Sequence, residues 1–121
     1  MLETLKADNF VSILLCGMPA DEDQDLQPTP DEIAAISPLA QVRKGIYKTP
    51  TCIVHGSEDE VVPCRMSQAF GEALASSGVT SEVVVVSGAK HMHDLFLKPG
   101  KPGWEDGVAS AYGFLFEHLF V

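Results

Sequence analysis

A chain of 121 residues, 45% hydrophobic and 21% charged, is long enough for one domain with its own core and ordinary in composition for a soluble protein. Eight Lys and Arg against seventeen Asp and Glu leave a net charge of −9, which excludes the clustered positive charge that nucleic acid or an anionic membrane requires. Cys16, Cys52 and Cys64 are an odd number with no Cys-x-x-Cys pair, which argues against a disulfide framework or zinc site and for a reducing, cytoplasmic setting.

The apolar run at residues 10–16 ends at Gly17 and predicts a buried strand, too short to cross a membrane. Glu3 and Asp8 around Lys6 make the residues before it a poor signal peptide. Residues 17–49 open as an acidic loop (Asp21, Glu22, Asp23, Asp25) whose spacing fits no calcium site. Thr29-Pro-Asp-Glu32 then predicts a short helix, with Thr29 as cap, Pro30 in the first position and Glu32 completing a capping box. Ser37 precedes Pro38 and should leave helical geometry. Residues 39–49 are expected to connect, turning at Gly45.

Residues 50–63 read as a strand and an acid-bearing loop: Pro50 introduces the strand at 51–54, Gly56 ends it, and residues 57–60 are acidic. Over 65–77 the period becomes helical, with Met66, Ala69, Phe70, Ala73 and Leu74 on one face and Gly78 placed to end the helix. Residues 82–86, Glu-Val-Val-Val-Val, predict a covered parallel strand. A loop at 87–103 is rich in Gly, Pro and Lys. The closing segment 104–121 carries Trp104, Val108, Ala111, Tyr112, Leu115 and Leu119 as an amphipathic stripe. The alternation predicts an α/β domain with three parallel strands and flanking helices.

Two residues stand out by position. Asp59 follows the carboxyl end of one strand and His91 follows the carboxyl end of the next. A helical crossover makes those strands parallel neighbours, so both residues emerge on the sheet edge where open α/β sheets build their sites. An acid beside an imidazole fixes the tautomer of a catalytic histidine and stabilises its protonated form. Glu58 and Glu60 compete for the acid's role. His55 and His93 compete for the base's, although His55 ends its strand early and is expected to pack against the sheet edge. His91-Met-His93-Asp94 has no further ligand cluster, so no metal is expected.

These residues resemble the C-terminal half of an α/β-hydrolase of the esterase and prolyl-oligopeptidase-like branch. The matching motifs are Ser37-Pro-Leu39, Pro50-Thr51, the His-Gly-x-x-Asp-x-x-Val-Pro run from His55 to Pro63, Ala73 to Val79, and the strand leading to Gly-Ala-x-His at His91. The resemblance covers residues 9–121. It implies that Asp59 is the triad acid and His91 the general base, with no cofactor. It also implies a nucleophilic serine on an upstream strand-to-helix elbow. No serine here lies in a Gly-x-Ser-x-Gly context.

The expected function is therefore a serine hydrolase-like fragment acting on a small-molecule carboxylic ester, truncated before its elbow and supplying acid and base but not the nucleophile. The alternative is a non-catalytic relic that serves as a binding or interaction module. The strand at 10–16 would be an apolar edge, open to self-association or a partner chain.

Overall fold

The computed structural model describes residues 29–119. The strand expected at 10–16, most of the acidic loop and the edge offered to a partner lie outside the described residues. Helix α1 (Pro30–Ile36) starts as its sequence dictates. Thr29 is extended, and its Oγ1 accepts the Glu32 N–H at 3.3 Å while Glu32 Oε2 accepts the Thr29 N–H at 2.8 Å. The Thr29 N–H, and then its hydroxyl, hold the Glu32 carboxyl below the usual glutamate value.

Residues 39–49 are not a plain connection. Ser37 is extended at φ −76° and ψ 116°, as a residue before proline must be, and so ends α1. The same residue caps a second helix, α2 (Pro38–Arg43), its Oγ accepting the Ala40 N–H at 3.3 Å. Pro38 then stands where its missing N–H costs nothing. Gln41 Nε2 donates to the Ala34 and Ala35 carbonyls at 2.9 and 3.2 Å, tying α2 to the open end of α1.

Strands β1 (Thr51–Gly56) and β2 (Ser81–Val86) pair in parallel from Thr51 opposite Ser81 to Gly56 opposite Val86. Among the described residues the sheet has these two strands. Between them runs α3 (Cys64–Ser76). It ends in a Schellman motif: Gly78, at φ +68°, donates to Ala75 O, and Val79 donates to Leu74 O at 3.0 Å.

The two faces of the sheet take different helices. Thr51, Ile53 and His55 point to one side, with Val83 opposite Ile53. There Gly71 of α3 sits so close to Val83 that a Cβ would meet its Cγ2. Val42, Leu74 and Val79 form the buried core of that layer, with Ile53, Phe70 and Tyr47 packed around them. The inward face of α3 is thus Ser67, Phe70, Gly71, Ala73 and Leu74, while Met66 and Ala69 of the expected stripe are exposed.

On the other side, a π-turn (Trp104–Val108) leads into α4 (Ala109–Leu119), together replacing the uniform helix expected from residue 104. Gly107 lies against Val86 and Val54, with a Cβ position 2.7 Å from Val86 Cγ2. Phe114 is buried, whereas Tyr112, Leu115 and Leu119 of the expected stripe are exposed. Val108, Ala111, Tyr112 and Leu115 instead wall a groove of about 330 Å³ with Val54 and His93. No helix among the described residues is long and apolar enough to cross a membrane.

Candidate active site

The parallel register sets the site before any side chain is considered. β1 and β2 end side by side at Gly56 and Val86, so the loops that follow start from the same sheet edge. Backbone bonds then clip the two loops together. Ser57 N–H donates to Val86 O at 2.9 Å, Glu58 N–H to Ala89 O at 3.0 Å, and Gly88 N–H to Ser57 Oγ at 2.8 Å. Gly56 makes this approach possible. A Cβ there would collide with the Ala89 carbonyl, its carbon 2.6 Å away.

Asp59 sits in the first loop with its side chain 7% exposed. Its Oδ1 accepts the backbone N–H groups of Val61 and Val62 at 2.9 and 2.8 Å. Its Oδ2 lies 2.9 Å from His91 Nδ1 and 3.2 Å from His55 Nε2. Burial pushes the carboxyl pKa up, but the Val62 N–H, the His91 ring and the Val61 N–H together outweigh it and hold the value at about 2. An ionised carboxylate only accepts hydrogen bonds, so His91 Nδ1 carries the proton toward it. In the neutral ring Nε2 is then the free base, on the 38% exposed side chain.

His91 reaches this position through a turn of its own. Met92 adopts the left-handed conformation, φ 57° and ψ 27°, a state that non-glycine residues seldom take. It turns the chain directly into a 3₁₀ helix (His93–Phe96).

The structure brings Asp59 and His91 together. Glu58 meets the second loop through its backbone N–H, while Asp59 makes the carboxylate contact with His91. His93 is turned toward the groove beside Val54, and its Nε2 is buried with no hydrogen-bond partner among the described residues. No group of three or more His, Cys, Asp or Glu among the described residues is arranged to hold a metal ion. Cys52 and Cys64 are half-buried, and burial, then the charge of Glu82, push the Cys52 thiol up, away from a nucleophilic thiolate.

Sequence reasoning carried His55 only as a rival base expected to pack at the sheet edge, and missed its contact with the acid. His55 does not merely pack at the sheet edge: its ring contacts Asp59 itself. The four-residue step from His55 to Asp59, within the run from His55 to Pro63, was the signal, and a strand end followed by a turn does not fix such a contact in advance. Among the described serines, the hydroxyls of Ser37, Ser57, Ser67, Ser77 and Ser110 bond elsewhere, not to His91.

A family model for the prolyl oligopeptidase family matches residues 15–120. The chain belongs to the prolyl oligopeptidase family. Membership brings the α/β-hydrolase fold, of which this chain resembles the C-terminal part, and solved esterases share it. The Thermogutta terrifontis esterase with butyrate bound superimposes with a TM-score of 0.58 at 28% identity, covering 71% of this chain and 30% of that one. The same organism's esterase 2 phosphorylated by paraoxon gives 0.56 at 26% identity, over 78% and 35%.

Curated relatives point to large enzymes. The non-reducing polyketide synthase atr1 of Stereocaulon alpinum is 42% identical over 117 residues, 97% of this chain. The non-reducing polyketide synthase stbA of Stachybotrys bisbyi is 40% identical over 119 residues, and the 5-methylorsellinic acid synthase of Aspergillus terreus 41% over 93. This prolyl oligopeptidase family chain spans about 5% of the length of the first two relatives.

Proposed function

We propose that this chain carries the acid and base of a serine hydrolase that releases an acyl product, acting on an ester or thioester of the kind a polyketide synthase holds. The observation that carries the reading is the 2.9 Å contact between Asp59 Oδ2 and His91 Nδ1 at the shared carboxyl edge of two parallel strands. The esterase neighbours support hydrolytic chemistry, and the polyketide synthase relatives support an acyl chain as substrate.

In this reading a serine from outside the 121 residues attacks the acyl carbonyl. As its Oγ bonds to carbon, His91 Nε2 takes the hydroxyl proton, while Asp59 holds Nδ1–H and stabilises the imidazolium. Collapse of the tetrahedral intermediate breaks the bond to the thiol or alcohol, and His91 gives that leaving group the proton. Water then repeats the sequence on the acyl-serine, releasing a carboxylic acid.

A domain exchange tests this. The chain replaces the matching residues of the Stereocaulon alpinum synthase, and product release is compared with that of the same chimaera carrying His91→Ala. Release that depends on His91 is the expected result. Release equal in both chimaeras removes His91 from the chemistry, and a chimaera that folds but never releases product favours the non-catalytic relic.

A further inference from the structure

His55 is the one further histidine whose ring meets the acid, and its surroundings fix its protonation. The two-residue period of β1 points it toward α3, where its Nδ1 lies 2.6 Å from Ser67 Oγ. Its Nε2 lies 2.8 Å from the Val62 carbonyl oxygen and 3.2 Å from Asp59 Oδ2, and the side chain is only 11% exposed. Both neighbours of Nε2 are acceptors, so Nε2 must carry a proton, which it donates to the Val62 carbonyl with Asp59 Oδ2 close by. In the neutral ring Nδ1 is then an acceptor, and the Ser67 hydroxyl donates to it.

Asp59 itself accepts three hydrogen bonds. A carboxylate has about four lone-pair sites. Two on Oδ1 take the Val61 and Val62 N–H groups and one on Oδ2 takes His91 Nδ1–H, while the His55 ring lies 3.2 Å from the same Oδ2. Val62 is held from both ends of its residue: its N–H by Asp59 and its carbonyl by His55. The turn that aims the carboxylate is thereby bolted to β1 and, through Ser67, to the first turns of α3.

The geometry points to His55 as a positioning residue for the Asp59–His91 pair: its Nε2–H holds the 59–62 turn so that Oδ2 stays directed at His91 Nδ1. This rests on the hydrolase reading, in which the pair is the acid–base relay. A rival role is competition, in which His55 merely draws on the same oxygen. The Val62 contact is the shorter of the two, which favours holding the turn over competing for the charge.

The test uses the 121-residue chain with ¹⁵N-labelled histidine, in which two-bond ¹H–¹⁵N correlations show which ring nitrogen carries the proton. In the unsubstituted chain, neutral His55 should be protonated on Nε2 and neutral His91 on Nδ1. His55 found protonated on Nδ1 alone overturns the proposal without any variant. His55→Gln places an amide N–H near the Nε2 position, within reach of Val62 O and Asp59. His55→Asn stops near the Nδ1 position, beside Ser67. The expected result is that His91 stays an Nδ1–H tautomer in His55→Gln and loses that preference in His55→Asn, with β2 amide signals reporting that both are folded. Equal behaviour of the two variants overturns the positioning role. Asp59→Asn, run in parallel, separates the failures. If His91 ignores that change too, the pair itself and the hydrolase reading fail; if it responds while Gln and Asn behave alike, only the role of His55 fails.

Discussion

Asp59 Oδ2 and His91 Nδ1 meet at 2.9 Å although 32 residues separate them. Topology makes the meeting: a parallel pair ends both strands at one edge, and three loop hydrogen bonds draw the following segments together. The contact then costs little further ordering, because both side chains leave backbones already fixed.

Replacing Asp59 with Asn should reverse the proton on His91. The two N–H groups of Val61 and Val62 demand an acceptor at the Oδ1 position, so the Asn amide nitrogen must take the place of Oδ2. It then donates to His91 Nδ1 and forces the proton to Nε2, the wrong nitrogen for a general base. In the synthase chimaera kcat should fall roughly ten-thousand-fold, as such a tautomer reversal does in a serine protease triad. Steady-state product release, with ring ¹⁵N shifts as the structural control, checks both halves.

Stability should fall on acidification in a defined window. The folded carboxyl of Asp59 sits at about 2 against an ordinary 3.8, so between these values the unfolded chain binds the extra proton. The contribution of Asp59 is complete above pH 3.8 and is lost as pH falls through about 2. Urea midpoints of the parent and of Asp59→Asn should therefore differ most above that window and converge below it. A constant difference across the window would falsify the linkage.

Gly56→Ala should damage the site and the fold together. The new methyl meets backbone atoms of Ala89, which cannot rotate away as a side chain can. Overpacking of this kind costs roughly 1–3 kcal/mol. The loop that carries His91 must shift, so a lower denaturation midpoint should accompany loss of the His91 Nδ1–H tautomer.

Thr29→Ala should leave the site alone. It removes the side-chain half of the α1 capping box, well before β1 in the chain and, among the described residues, with no hydrogen bond to those of the site. A loss of about 1 kcal/mol is expected from cap substitutions. Thermal melting and the His91 ring shifts together check it: the first should move and the second should not.

Local chemistry was the legible part of this chain. The capping box at Thr29, the helix stop at Gly78 and the β-branched run of β2 each act through neighbouring residues, and each forms as its sequence implies, although Val85 of the strand expected to be covered is exposed. Helix α2 escaped notice because Ser37 reads as an ending. Only its hydroxyl, turning to the Ala40 N–H, makes it also a beginning. The inward face of α3 was displaced toward Ser67 and Gly71 because the space over Val83 admits no Cβ, a constraint set by the sheet rather than by apolar spacing.

For the site, the sequence by itself determined that an acid and a histidine follow successive parallel strands, since strand, crossover and strand fix the edge on which both loops emerge. Spacing alone left Glu58 and Glu60 beside Asp59, which only the family resemblance singled out, and it offered His55 no part beyond that of a competing base. Tertiary structure shows which of these side chains touch one another. Only when β1, the 59–62 turn and α3 are packed do three donors converge on one carboxylate with the His55 ring beside them, and hydrogen-bond direction then dictates which nitrogen of each imidazole holds its proton.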